Sequence, residues 1–219
     1  MEGDYQIIWK DESYNYFMRN YQNRDLHTIE PITRFVSSIE KSGIKILPAY
    51  KVLEIGCGAG NNLLWLKKKF GVEIHGTEPS DRLVHLLNTN IPEGNFYYYA
   101  SHSLPFLKNS YDLVIFRSVL HWIDRDYLLQ TLGETIRVTK RYLFVSDFCP
   151  QYPYSVIYKH NKSVKTFKMD YQPIIESSGM MKMIFSELEN IGDPWSQIKN
   201  SIYLKLCLDE AFPEKEDMS

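Results

Sequence analysis

VLEIGCGAG, Val52 to Gly60, is the stretch that decides the fold. An apolar run (Val52, Leu53, Ile55) ends in three alternating glycines, Gly56, Gly58 and Gly60, and Leu63, Leu64 and Leu66 follow at helical spacing. The order is a buried strand, a tight turn and the start of a helix. Glycine lets the backbone turn sharply there and lets a ligand come close to main-chain N–H groups. A carboxylate, Glu54, stands two residues before the first glycine. No Lys-Ser/Thr pair follows the turn, which excludes a triphosphate-cradling P-loop.

Working outward, Asn61 to Phe70 reads as a helix closed by Gly71, with Lys67 to Lys69 on a solvated face. Val72 to Thr77 reads as a strand ending at Glu78, 24 positions after Glu54, which is one strand-helix-strand unit. A carboxylate at that strand tip can accept two hydrogen bonds from ribose hydroxyls. Ser80 is placed to cap a helix over Asp81 to Asn90. Further strands are expected at Phe96 to Ala100, Tyr111 to Phe116 and Tyr142 to Phe148, with a helix at Tyr127 to Thr139. The Tyr111 to Phe116 run is apolar on both faces, as a central parallel strand is. Strands alternating with helices predict an α/β fold with ligands beyond the carboxyl ends of the strands. Arg117 to Trp122 then borders the site. His121 in that loop is the leading candidate for a general base, because imidazole titrates closest to neutrality. Asp147, at the end of the Tyr142 strand, is the second candidate, as a base or as the group that orients one.

Glu54, Gly56, Gly58 and Gly60 together resemble the first motif of the class I S-adenosylmethionine-dependent methyltransferases: an acidic residue, a spacer, then G-x-G-x-G. A generic dinucleotide turn shares the glycines but lacks the acidic lead-in and the downstream matches. The resemblance implies an α/β, Rossmann-like sheet of seven strands, mostly parallel with an antiparallel last strand, and helices on both faces. It implies S-adenosylmethionine as the cofactor, with Glu54, Gly56, Cys57, Gly58 and Gly60 in the turn and Glu78 and Pro79 at the ribose. Ala100-Ser101-His102-Ser103-Leu104-Pro105-Phe106 is similar to the family's adenine-binding segment, written D-A-x-x-L-P-F. Ala100 stands where the family has Asp, so Ser101, His102 or backbone must take the adenine amino group. Arg117 falls in the region that packs against the cofactor. Tyr16-Phe17-Met18-Arg19-Asn20 resembles the N-terminus of methyltransferases found with sugar and surface-polysaccharide biosynthesis, where Arg19 would face the methionine carboxylate. The implied activity is methyl transfer to a hydroxyl or amine of a small molecule, with a sugar or nucleotide-sugar leading. An NAD-dependent oxidoreductase would share the glycine turn and Glu78, yet no Tyr-x-x-x-Lys pair is convincingly present. Ala100 keeps open a protein that binds the cofactor without turnover.

The ends of the chain are less regular. Gln6 to Asn23 reads as one or two short helices and Glu30 to Ile46 as another with Pro31 in its first turn, making residues 1–48 a helical cap. Cys149 to Gly179 departs from a minimal fold and is expected to insert a small strand pair around Tyr158 to Tyr171 and a short helix over Pro173 to Ser178, as an acceptor lid. Met180 to Leu188 and Ser201 to Asp209 are expected to close the sheet, and Phe212 to Ser219 to be a frayed charged tail.

With 219 residues, 44% of them hydrophobic, the chain can build one sizeable core, so 1–219 is read as a single domain. A net charge of -2 and a pI near 6.3 argue against a broad nucleic-acid footprint. Nothing in the hydropathy suggests a bilayer span, and Met1-Glu2-Gly3-Asp4 lacks a signal-peptide core. Cys57, Cys149 and Cys207 are far apart, with neither metal-ligand spacing nor a disulfide framework, which suits a reducing, cytoplasmic setting. The expected partner is a small-molecule acceptor, with no nucleic acid and no membrane; a homodimer stays open. Sixteen tyrosines suit a pocket for a polar ring or an ordinary tyrosine-rich core.

Overall fold

Tyr111–Arg117 forms β4, whose first six residues are all buried. Apolar side chains on both faces leave such a strand no stable place but the middle of a sheet. The computed structural model describes residues 4–191 and 197–207, with side chains from residue 9 onward. Lys51–Ile55 (β1) pairs with β4 in parallel, and Glu73–Glu78 (β2) and Asn95–Tyr98 (β3) extend the sheet from β1, also in parallel. On the other side of β4 lies Thr139–Phe148 (β5), again parallel. The antiparallel hairpin of Met181–Asn190 (β8) and Gln197–Lys205 (β9) completes seven strands in the order β3-β2-β1-β4-β5-β9-β8.

Side chains alternate across the sheet with period two, so each strand feeds two cores. Val52, Leu113, Ile115 and Phe144 point to one, where they meet Thr33–Ser42 (α2), Asn61–Phe70 (α3) and Asp81–Asn90 (α4). Leu53, Val114, Phe116 and Leu143 point to the other, against Arg125–Val138 (α5) and the short Gln172–Glu176 (α6). Phe35 of α2 is fully buried, edge-on to Phe144 at 5.1 Å and to Trp65 at 5.7 Å. Phe35→Ala is expected to cost about 3–5 kcal/mol in urea unfolding, because the void cannot collapse between two fixed rings.

Several boundaries differ from the sequence expectation. The N-terminal segment is one continuous helix, α1 (Asp4–Tyr21), held by tertiary contacts its weak periodicity does not announce. It lies across the carboxyl ends of the strands, where the Arg82 guanidinium covers the Tyr14 ring at 4.0 Å. The Glu30 to Ile46 helix is only α2: Pro31 precedes it, Ile32 is its N-cap, and Gly43 ends it in the left-handed region at φ 68°. The strand pair after β5 is Tyr154–Ile157 (β6) with Lys165–Lys168 (β7); the Tyr158 N–H still donates to Val164 O at 2.8 Å just beyond it, and Lys159 and His160 turn. β9 begins four residues before Ser201 and ends at Lys205. The expected tail, residues 212–219, lies outside the described residues. No helix among the described residues is long and apolar enough to cross a membrane.

Candidate functional site

The glycine turn joins β1 to α3 at the carboxyl edge of the sheet. Gly56, Gly58 and Gly60 have φ of 70°, 56° and 72°, the left-handed region that glycine enters without strain. Thr77 O accepts from the N–H groups of Gly56 (2.8 Å) and Cys57 (3.2 Å), which ties the turn to β2. A Cβ at Gly56 would stand 2.6 Å from Val119 Cγ2, and one at Gly76, beneath the turn, 2.5 Å from Cys57 Sγ. The backbone approaches its neighbours too closely at both places for any side chain.

A cavity of about 910 Å³ opens above this turn, roofed by α1 and floored by the strand ends. Glu78 lies on its wall, buried, and its carboxylate accepts from the Gly58 N–H at 2.5 Å and the Ser13 hydroxyl at 2.6 Å. Each carboxylate oxygen keeps lone pairs for a further donor. Burial raises the Glu78 pKa, against the pull of those two bonds. Glu54, only 2% exposed, accepts from Asn62 Nδ2 at 2.8 Å through one oxygen; its other oxygen is buried without a partner. Burial pushes the Glu54 carboxyl up to about 7, opposed by the Asn62 bond and the charge of Arg117. Arg117, at the end of β4, also lines the cavity, with its Nε buried and unpartnered. Burial lowers its pKa and Glu54 pulls it back.

Beyond β4, His121 sits in a single 3₁₀ turn, Leu120–Trp122, on the same cavity wall. Its Nδ1 lies 2.7 Å from Asp147 Oδ1 at the end of β5, and both side chains are buried. Asp147 is itself fixed by the backbone N–H groups of Phe148 (2.7 Å) and His121 (3.3 Å). A carboxylate on Nδ1 selects the tautomer whose Nε2 carries the lone pair. This is the orientation a proton acceptor needs.

The structure brings Glu54, Gly56, Cys57, Gly58, Glu78, Pro79, Ser101, His102, Arg117 and His121 onto this one wall. Three expected positions stand elsewhere. Arg19 is not on the wall; it donates to Glu12 Oε1 at 2.5 Å and to Tyr158 Oη at 2.9 Å, tying α1 to the turn after β6. The guanidinium that faces the cavity is Arg117. Gly60 is the N-cap of α3, and a Cβ there would meet Ile91 Cδ1 at 3.1 Å. Asp147 is the support behind His121 rather than a lining group. At Ala100 the segment is held without an Asp: Glu134 accepts from the Leu104 N–H, and Arg137 donates to the carbonyls of Leu104 and Phe106. Ser101 shares a hydrogen bond with Thr131 at 3.0 Å, and His102 stacks on Tyr127 at 4.3 Å; burial lowers the His102 pKa. Trp9, Glu12, Ser13, Tyr16, Asn62, Phe148 and Tyr158 also line the cavity and carry no local signature of it. Ser13 reaches Glu78 across 65 positions, and only the packing of α1 shows that.

Residues 52–142 match a family described as a methyltransferase domain. Over those residues the chain is similar to methyltransferases. Phosphoethanolamine N-methyltransferase from Plasmodium falciparum (isolate 3D7) is 25% identical over 114 residues, 49% of this chain and 42% of that protein. Methyltransferase GfsG from Streptomyces halstedii is 26% identical over 101 residues, 43% of this chain and 36% of that one. The chain thus matches less than half the length of these curated relatives. Among solved structures, the 1,6-didemethyltoxoflavin-N1-methyltransferase of Burkholderia thailandensis, with its substrate and S-adenosylhomocysteine bound, superposes with a TM-score of 0.65 at 14% identity, covering 90% of this chain and 88% of that one. The magnesium protoporphyrin IX methyltransferase of Synechocystis PCC 6803, with S-adenosylmethionine bound, gives 0.64 at 14% identity over 93% of this chain and 98% of that one. The seven-stranded sheet is the methyltransferase fold.

The residues on this wall fit S-adenosylmethionine. The methionine end of that molecule is a zwitterion, and the wall offers a partnerless carboxylate oxygen on Glu54 and a partnerless guanidinium nitrogen on Arg117. Placing an ammonium by Glu54 and a carboxylate by Arg117 satisfies both.

Proposed function

We propose that this chain binds S-adenosylmethionine at the open end of the sheet and methylates a hydroxyl or amine of a small molecule. The observation that carries this reading is the buried Asp147–His121 pair, 2.7 Å apart, on the same cavity wall as Glu54, Glu78 and Arg117. Glu78 is taken to hold the ribose hydroxyls, Ser101 and His102 the adenine, and Glu54 and Arg117 the amino-acid end, while the Gly56 to Gly58 turn, whose N–H groups are engaged by Thr77 and Glu78, leaves room for the ligand to approach. Bound S-adenosylmethionine supplies a methyl group already activated on a sulfonium. The protein's share is alignment, worth roughly 7–11 kcal/mol when reacting atoms are held in line. A hydroxyl acceptor must also lose a proton, which His121 Nε2 takes while Asp147 stabilises the resulting imidazolium. Within the single domain, residues 1–48 serve as the cap and 149–179 as the acceptor-binding insertion. The sugar or nucleotide-sugar reading rests on the Tyr16 to Asn20 resemblance alone; Arg19 and Asn20 are occupied there with Glu12, Tyr158 and the Tyr16 carbonyl.

Calorimetry tests the reading: S-adenosylmethionine and S-adenosylhomocysteine are expected to bind and NADH not. Binding of NADH alone would return the site to the oxidoreductase class, and cofactor binding without methylated product from any acceptor would leave a binding protein.

The Glu54 carboxyl gives this binding a pH signature. An ammonium group beside it favours its ionised form, so affinity for S-adenosylhomocysteine is expected to fall about tenfold between pH 7.5 and 6, below the carboxyl's value of about 7. Stability runs the other way. The folded carboxyl holds its proton more tightly than an unfolded one near 4.5, so Glu54 costs stability above pH 7 and that cost is relieved as pH falls toward 4.5. Glu54→Gln is expected to raise Tm at pH 8 while weakening the ligand and flattening its pH profile. A variant that binds as before, with the same slope, removes Glu54 from the ammonium site.

A further inference from the structure

Five rings from four parts of the chain, the imidazole of the proton acceptor among them, stand in one cluster. Trp9 of α1 stands edge-on to Trp122, with centroids 4.9 Å apart and planes at 70°. Trp122 stands edge-on to Tyr158 at 4.8 Å and 86°. His121 lies 4.8 Å from Trp122 and, at 88°, 4.8 Å from Phe148. All five line the cavity. A flat guest continues the same edge-to-face packing.

The carboxylates beside them already have partners within the protein. Glu12, 5% exposed, takes Arg19, and Arg19 also takes the Tyr158 hydroxyl. An ammonium guest would compete with Arg19 for Glu12, or with the Asp126 N–H for Asp124, the N-cap of α5 on the same wall. A nucleotide-sugar would bring two phosphate charges, which need cations when buried. Among the described residues the Lys or Arg on this wall is Arg117, whose charge is coupled to Glu54. Aromatic surface around one oriented imidazole suits a neutral, planar acceptor. It also suits the proton transfer: a phenolic hydroxyl ionises near about 10, and an aliphatic one is a far weaker acid.

We propose that the acceptor is an aromatic or heteroaromatic ring bearing the reacting hydroxyl or amine, stacked among Trp9, Trp122 and Phe148 with that group at His121; this rests on the methyltransferase reading above. In the hydroxyl case the O–H bond breaks and its proton passes to His121 Nε2. The oxygen–methyl bond forms as the carbon–sulfur bond breaks, and that electron pair stays on sulfur.

The test uses the full chain saturated with S-adenosylhomocysteine and a pair of probes matched in skeleton and hydroxyl, 2-naphthol and decahydro-2-naphthol, with UDP-glucose and phosphoethanolamine as the charged alternatives. Calorimetry is expected to show 2-naphthol binding about tenfold or more tighter than its saturated counterpart. Trp122→Leu, which keeps apolar bulk and removes the π face, is expected to erase that preference, and Trp9→Leu to reduce it. Affinity for S-adenosylhomocysteine in both variants reports that the fold is intact. Equal binding of the two naphthols, tighter binding of UDP-glucose or phosphoethanolamine, or a preference that survives in both folded variants overturns the inference. If S-adenosylhomocysteine itself does not bind, the methyltransferase reading fails and takes this one with it; if it binds and the naphthols are not distinguished, only the acceptor class is wrong.

Discussion

Gly58→Asp abolishes S-adenosylmethionine binding: titration with ligand at a hundred times the native Kd is expected to give no heat of association. Three effects act together. Gly58 sits at φ 56°, where a residue with a Cβ pays roughly 1–2 kcal/mol. Its N–H donates to Glu78 at 2.5 Å, so a new carboxylate arrives beside an existing buried one. A Cβ at this position meets nothing within 4 Å, which means the side chain projects into ligand space instead of being turned aside. Gly58→Ala separates the causes. It carries the same backbone strain without charge and is expected to fold and bind, with affinity reduced by one or two orders of magnitude. Native affinity in the Asp variant would show that the ligand lies away from this turn.

His121→Ala is expected to lower kcat for a hydroxyl acceptor by about 10²–10⁴, the usual worth of a positioned general base. The affinity for S-adenosylmethionine should change less than about threefold, because the imidazole serves the acceptor and not the nucleoside. His121→Gln is the control for folding, since removing the ring leaves the buried Asp147 carboxylate supported, among the described residues, by the N–H groups of Phe148 and residue 121. An amine acceptor sharpens the test: above its own pKa it attacks unprotonated, and the loss should shrink toward tenfold. Asp147→Asn should reproduce most of the His121→Ala loss without any group on the cavity wall having changed. The amide can turn its NH₂ toward Nδ1, favouring the tautomer that leaves Nε2 protonated. Turnover unchanged in both variants would take the pair out of the mechanism.

The parts of the site legible in the sequence are those set by local geometry. Gly56, Gly58 and Gly60 had to be glycine because the turn requires positive φ, and the apolar strand on one side and leucine spacing on the other declare what it joins. Glu78 was legible because one strand-helix-strand unit fixes how far along the chain the next strand tip lies. His121 and Asp147 were each visible as chemistry at a strand end; that they touch was not. Arg19 shows the opposite case. Its motif suggested the cavity, but the nearest carboxylate, Glu12, lies two turns back on the same helix and captures it.

From the order of its residues alone, this protein was committed to a parallel α/β sheet with a glycine turn at its open edge, because hydrophobic period and backbone sterics act over a few residues. Tertiary structure alone decided that α1 roofs the cavity, that Ser13 meets Glu78, that Asp147 backs His121 and that Trp9, Trp122 and Tyr158 stand together. Those pairs are 65, 26, 113 and 36 or more positions apart. Their meeting depends on how whole elements pack, and no local preference of the chain encodes it.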